Sequence, residues 1–340
     1  MSDMNSLVLH ETKNMESLKV ARIPVPIPGR GEALIKLKAT ALNHRDLWII
    51  QGLYAKIKLP VVLGSDGTGI VEQVGQGVEQ NWIGKAVIIN PALDWGNSPA
   101  SQQKDFRILG MPDNGTQAEY VAIPVENLAE KPPHLSFEEA AALPLAGLTG
   151  YRALFTQGQL QESQTVLLTG IGGGVATIML QFACAAGVNV IVTSGREEKL
   201  KKAVQHGALG GANYHDSDWP GQLRGLLVGT EIDLIVDSAG GSGFPALLDL
   251  VRPGGKIVIL GATAGNPPGL DMRRIFWKQL TIQGTTMGHP ENFRNMIKFV
   301  ETHQVRPILS AVFSFFDFKK AYQYMMDGKQ FGKIVLKIGE

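Results

Sequence analysis

Cysteine is almost missing from this chain: Cys184 is the single one in 340 residues, so no disulfide framework can form within it. Long apolar runs are missing too. No stretch approaches the roughly 18 residues a membrane helix needs, and Met1 to Glu11 mixes acidic and polar residues with no apolar core, so neither a secretory leader nor a membrane span is expected. Net charge is nearly absent, +1 at neutral pH, and no basic run interleaves with aromatics, which argues against a nucleic-acid surface. A cytoplasmic protein acting on a small molecule is the expectation.

What the chain does hold is glycine, 40 residues, and two alternating rhythms. Residues 1–140 carry short apolar runs broken by Gly and Pro, such as Ala33–Lys38, Gly69–Val74, Ala86–Asn90 and Ala118–Ile123, which read as a β-rich domain of short antiparallel strands. Over 141–304 strand-like runs alternate with helical stretches. The strands are Thr165–Thr169, Asn189–Thr193, Asp233–Asp237, Lys256–Leu260 and Leu280–Gly284, each continuously apolar, as in a parallel sheet covered on both faces. The order is βαβ, hence a doubly wound domain. The tail, 305–340, returns to the first style, ends in the run Lys333–Ile338, and is expected to complete the β-rich domain.

The first of the parallel strands runs directly into Gly170-Ile-Gly172-Gly173-Gly174-Val175-Ala176, with a helix to follow. Small residues at this spacing give a sharp turn, let backbone approach a pyrophosphate and let the helix pack on the strand; the anion then meets the free amides and positive dipole of the helix N-terminus. Strand before, helix after and a second strand on time make this a dinucleotide site. The second strand lacks the acid that usually binds the ribose hydroxyls. Ser194 stands at its tip, Arg196 two residues on, and Lys199 one turn further. A hydroxyl with cations suits a 2′-phosphate, so NADP(H) is expected over NAD(H). Ligands sit at the carboxyl ends of such strands, which adds Ser238, Gly261 with Ala262, and Thr286 with Met287 as cofactor contacts.

Several segments carry a resemblance: Ala41-Leu-Asn-His-Arg-Asp-Leu-Trp48, Leu63-Gly-Ser-Asp-Gly-Thr-Gly-Ile-Val71, Gly115-Thr-Gln-Ala-Glu-Tyr-Val121, Ala140 to Tyr151, the glycine turn and Gly332-Lys-Ile-Val-Leu336. With them the whole chain resembles the medium-chain dehydrogenase/reductase superfamily, near its zinc-type alcohol dehydrogenase-like and quinone oxidoreductase branches. The resemblance implies an α/β protein with a GroES-like β-rich domain, a Rossmann doubly wound parallel sheet, a cleft between them and a homodimer. It also implies cofactor contacts from His44, Thr149 and Lys333.

Zinc-dependent relatives place a catalytic metal on a Cys, a His with a nearby Glu, and a second Cys or an acid. The matching positions here are Asn43, the Gly64-Ser65-Asp66 segment and Leu145, and the lobe near 93–112, which in those relatives holds a four-cysteine structural zinc, has no cysteine. Oxygen donors select zinc poorly, so no metal is expected. A metal-free site needs a substrate already electrophilic, such as a quinone or an α,β-unsaturated carbonyl, with hydrogen-bond donors to hold the charge growing on oxygen. Asn43, Tyr54 and Asp46 are the candidate catalytic residues, with Arg45 as a nearby cation. Two other readings stay open: an alcohol dehydrogenase of the zinc type, and an NADPH-binding sensor or structural protein with little catalysis.

Overall fold

The computed structural model describes residues 2–227 and 229–339, and its chain divides into two compact units, 1–146 with 288–340, and 147–287. The sequence placed the seams at 140/141 and 304/305; by contacts, the helix Pro290–Thr302 goes with the first unit.

In the first unit, the strands order as Leu128–Glu130, Ala86–Ile89, Asp66–Val74, Glu32–Ala41, Lys333–Lys337 and Leu309–Ser314, with Tyr120–Pro124 also pairing with Glu32–Ala41. The long strand Glu32–Ala41 is the hub. It takes Asp66–Val74 and Lys333–Lys337 antiparallel on its two sides, so the last strand of the chain is stitched beside the segment that opens the candidate site. Leu9, Leu18, Ile35, Leu37, Ile49, Leu63 and Ile89 fill the core below. Alternation drives this: successive side chains point to opposite faces of a sheet, so Ile35 and Leu37 pack inward while Lys36 between them meets water.

In the second unit, among the described residues, a six-stranded sheet runs in the order Gly210–Asn213, Asn189–Ser194, Thr165–Leu168, Ile232–Asp237, Val251–Ile259 and Thr281–Gly284. All five pairings are parallel. The order is that of a Rossmann sheet, whose reversal point lies at the carboxyl end of Thr165–Leu168. The apolar strands expected from sequence are all there, and Gly210–Asn213 is an addition: Gly-Gly-Ala-Asn has no β-branched residue to announce it. Leu167, Ile191, Ile235 and Ile257 join the core between sheet and helices.

Candidate active site

In the first unit the chain leaves Glu32–Ala41 and enters a short helix, His44–Ile50, through Asn43, which caps it. Asp46 Oδ2 accepts the Asn43 backbone N–H at 2.9 Å. The Asn43 side chain turns inward. Its Nδ2 donates to Asp66 Oδ2 at 3.0 Å, and its Oδ1 accepts from Lys333 Nζ at 2.7 Å. Lys333 Nζ also donates to Leu42 O at 2.9 Å and to Asp66 Oδ2 at 2.8 Å. Asp66 Oδ1 takes the Leu145 N–H at 2.7 Å. Lys333 is 3 % exposed and Asp66 0 %, so water plays no part in separating the pair.

Backbone packing holds Asp66 there. Thr40 Oγ1 and Thr116 Oγ1 both donate to its carbonyl, at 2.8 and 2.7 Å. Two residues before it, Gly64 adopts φ +96°, and a Cβ built on Gly115 would stand 2.0 Å from Gly64 O, so the segments touch backbone to backbone. Only glycine permits that approach.

Lys333 therefore corrects one expectation. It was to reach the cofactor's phosphate or ribose, but an ammonium has three hydrogens, and all three are taken by Leu42, Asn43 and Asp66. Arg45 is likewise committed rather than available as a cation. Its Nη1 donates to Ser65 Oγ (2.8 Å) and Leu109 O (3.0 Å), and its Nη2 to Met111 O (3.2 Å). The Tyr54 ring lies over this guanidinium, 5.1 Å from its centre. Asp46 is fully buried, and burial raises its carboxyl from 3.8 to about 6 against the pull of Arg45 and the Asn43 N–H. It serves as helix cap first. His44 is exposed, its ring 6.2 Å from that of Trp48.

The three positions matching zinc ligands thus converge, but on each other and on an ammonium. Zinc asks for a tetrahedron of nitrogen, sulfur or carboxylate donors at about 2.0–2.3 Å. Asn43 and Asp66 already face a resident cation at hydrogen-bond distance, the Leu145 side chain has no atom that can ligate a metal, and its backbone N–H is spent on Asp66. These residues do not fit a catalytic zinc. Among the described residues no cluster of three His, Cys, Asp or Glu is placed to hold a metal.

In the second unit the glycine turn takes the geometry its sequence demands. Gly170 and Gly172 adopt φ of +69° and +119°, and the helix Gly174–Ala185 begins with Gly173 as its cap. Its first amides have no intrahelical acceptor, Val175 among them, and a Cβ on Gly173 would meet nothing within 4 Å, so a diphosphate has both donors and room. These residues fit a dinucleotide. Gly170 N–H donates to Thr193 Oγ1 and Ile171 N–H to Thr193 O, at 3.2 and 2.8 Å, which ties the turn to the second strand.

At the tip of that strand, Ser194 Oγ accepts the Arg196 N–H at 3.2 Å. Lys199 folds back over the turn: a Cβ on Gly172 would stand 2.6 Å from its Cδ and 3.0 Å from its Nζ. Burial lowers the Lys199 ammonium's pKa, and Arg196 adds to that. Two residues missed in the sequence join here. A Cβ on Gly195 would collide with Tyr214 Oη at 2.7 Å and His215 Nε2 at 2.8 Å, and the two rings pack edge to face at 4.7 Å. The signal was a glycine between a strand tip and a cation, with an aromatic pair following the unannounced strand.

The other strand ends also gather. Thr169 Oγ1 donates to Asp237 Oδ1 at 2.7 Å. Thr263 N–H donates to Ser238 O at 3.2 Å and Ala264 N–H to Ala239 O at 2.8 Å, which sets Ser238 beside Gly261 and Ala262. Thr149 Oγ1 donates to Met287 Sδ at 3.9 Å, and Thr286 beside it is exposed.

A GroES-like sheet in one unit and a dinucleotide-binding Rossmann sheet in the other define a nicotinamide-type oxidoreductase. Residues 29–133 match the family model described as alcohol dehydrogenase GroES-like domain, and 174–302 the one described as zinc-binding dehydrogenase. The chain is 36% identical to a zinc-type alcohol dehydrogenase-like protein YogA of Leptosphaeria maculans, over 94% of each chain. It is 27% identical to an acryloyl-coenzyme A reductase of Sulfurisphaera tokodaii, over 95% of this chain and 97% of that one. A solved NAD-dependent alcohol dehydrogenase superposes with a TM-score of 0.92 at 37% identity, covering 99% of this chain and 100% of that one. The chain belongs to the zinc-type alcohol dehydrogenase-like family of the medium-chain dehydrogenase/reductase superfamily. It is an oxidoreductase of that superfamily.

Proposed function

We propose that the protein is an NADP(H)-dependent reductase that passes hydride to an activated carbonyl compound, a quinone or an enone, without zinc. One observation carries the reading: the positions that would ligate a metal are closed around the Lys333 ammonium, while Asn43 keeps a hydrogen to donate. Among the described residues, Nδ2 spends one hydrogen on Asp66 and meets no other acceptor. When bound, the cofactor supplies the hydride. The chain's own part is to hold the diphosphate on the amides after Gly173, to face a 2′-phosphate with Ser194, Arg196 and Lys199, and to take the developing oxyanion on Asn43 Nδ2. Lacking a Lewis acid, such a site favours carbonyls already polarised by conjugation. The acryloyl group in the name of one relative is of that kind. Tyr54, covering Arg45 at the edge of this cluster, is a second donor to consider.

The test is NADPH consumption against quinones, enones and saturated aldehydes, beside alcohol oxidation with NADP⁺, all after chelation. Conjugated substrates are expected to turn over and simple alcohols not. A rate with alcohol alone, restored by zinc, would replace this reading with that of a zinc-dependent alcohol dehydrogenase. Cofactor bound tightly with no turnover would leave a binding protein. The NAD named in one structural relative makes the paired dissociation constants of NADPH and NADH the direct check on cofactor choice.

We also infer a homodimer in the cytoplasm. Met272, Phe276 and Trp277 are exposed, Trp277 at 81 %, just before the edge strand Thr281–Gly284. A bare sheet edge beside an apolar patch is an invitation to pair.

A further inference from the structure

The Asn43 amide could sit either way round on shape alone, since its oxygen and nitrogen differ little in size. Its two neighbours decide. An ammonium only donates and a carboxylate only accepts. With Lys333 Nζ at 2.7 Å and Asp66 Oδ2 at 3.0 Å, Oδ1 must face the lysine and Nδ2 the aspartate. The lysine and aspartate lock each other, at 2.8 Å, and the Leu145 N–H and the two threonines fix the aspartate in turn. Of the groups in this triangle, only the second hydrogen on Asn43 Nδ2 is left to give.

We propose that Lys333 is a positioning residue that stands where the family's metal would be: it fixes the Asn43 carboxamide with one hydrogen uncommitted as the donor to substrate, and its charge bars a divalent cation from the same oxygens. Part of this rests on the reading of Asn43 as the donor to a carbonyl; the locked amide and the exclusion of metal do not. Without the ammonium, Oδ1 loses its charged partner and the amide is free to rotate. A misplaced donor costs up to about a hundredfold in rate. The same proposal separates Lys333 from the cofactor, whose affinity it should leave alone.

The experiment compares the full-length wild type with Lys333→Met, and with Lys333→Met combined with Asp66→Asn. The double variant removes the unpaired carboxylate that destabilises the single one. Three readouts are taken: kcat and KM with benzoquinone and cyclohexenone, the NADPH dissociation constant by fluorescence, and the Asn43 side-chain amide signals in protein carrying isotope-labelled asparagine, assigned by their loss in Asn43→Asp. Zinc uptake is measured by equilibrium dialysis. We expect both variants to lose about ten- to a hundredfold in kcat, to bind NADPH within about twofold of wild type on the view that no contact is lost, and to lose the protection of the Asn43 amide. Wild type should take up no zinc. A double variant with wild-type kcat overturns the positioning role, as does weaker NADPH binding with kcat unchanged at saturation. Stoichiometric zinc in the wild type overturns the exclusion. If wild type turns over neither probe, the reductase reading falls, while the amide signals and the dialysis still decide the inference: an Asn43 amide equally protected with and without Lys333 refutes it.

Discussion

Lys333 and Asp66 form an ion pair at 2.8 Å with exposures of 3 % and 0 %. Such a pair adds little over an apolar pair of the same shape, yet breaking it strands a charge. Lys333→Met should therefore destabilise the protein by about 3–5 kcal/mol, and adding Asp66→Asn should recover much of that. Urea unfolding of the three proteins checks it. Equal losses for single and double variants would mean that the packing of Lys333, rather than its charge, matters.

Asp46 gives a pH signature. Burial raises its carboxyl from 3.8 to about 6; Arg45, the Asn43 N–H and Lys333 pull it down, and Asp66 pushes it up. The buried Tyr322 hydroxyl, itself held well above its ordinary pKa, is the other titratable group facing it. A carboxyl that binds its proton more tightly when folded adds stability below the unfolded value of 3.8 and loses it as pH rises through about 6. The shift corresponds to roughly 3 kcal/mol. Asp46→Asn retains an oxygen for the Asn43 N–H, so the difference in unfolding free energy between variant and wild type should grow in the variant's favour from pH about 4 to 7. A difference that stays flat over that window sinks the assignment.

How much of this was legible follows from what each residue does to the backbone. The glycine turn was readable because φ of +69° and +119° at Gly170 and Gly172 leave almost no other residue possible. Three inner strands of the Rossmann sheet, Thr165–Leu168, Asn189–Ser194 and Ile232–Asp237, were readable because parallel strands buried on both faces lose their alternation, whereas the edge strand Thr281–Gly284 has no fully buried residue and departs from that expectation. Gly210–Asn213 was not, since its place is set by pairing with Ile191–Ser194 rather than by its own side chains. The Lys333–Asp66–Asn43 triangle was half legible. The sequence showed which metal ligands were missing, but Lys333 and Asp66 lie 267 positions apart, and only the pairing of the last strand with Glu32–Ala41 brings them together. Tyr214 and His215 escaped because contact with Gly195 has no periodicity to betray it.

Gly172 tests the turn. At φ +119° any side chain is strained, and a Cβ would press on Lys199 Cδ at 2.6 Å. Gly172→Ala should cost about 1–3 kcal/mol of stability, and displacing Lys199 should weaken NADPH binding by about tenfold, the equivalent of 1.4 kcal/mol. Calorimetry of folding and of binding separates the two effects. Unchanged binding would place Lys199 outside the cofactor site.

Cofactor choice tests the strand tip, where Ser194 is buried and Arg196 half exposed beside Glu198 at 3.8 Å. That surface ion pair is long and wet, so it contributes little. A charge-assisted contact to a 2′-phosphate is roughly twice as strong as a neutral one, so Arg196→Ser should weaken NADPH by about tenfold, or about 1.4 kcal/mol, and leave NADH unchanged. Ser194→Asp should go further: a carboxylate at the tip repels the phosphate and accepts from the two ribose hydroxyls, inverting the preference. The ratio of the two dissociation constants across wild type and both variants is the measurement. Should Arg196→Ser weaken both cofactors alike, the arginine touches the part of the molecule they share, and the strand tip does not read the 2′-phosphate.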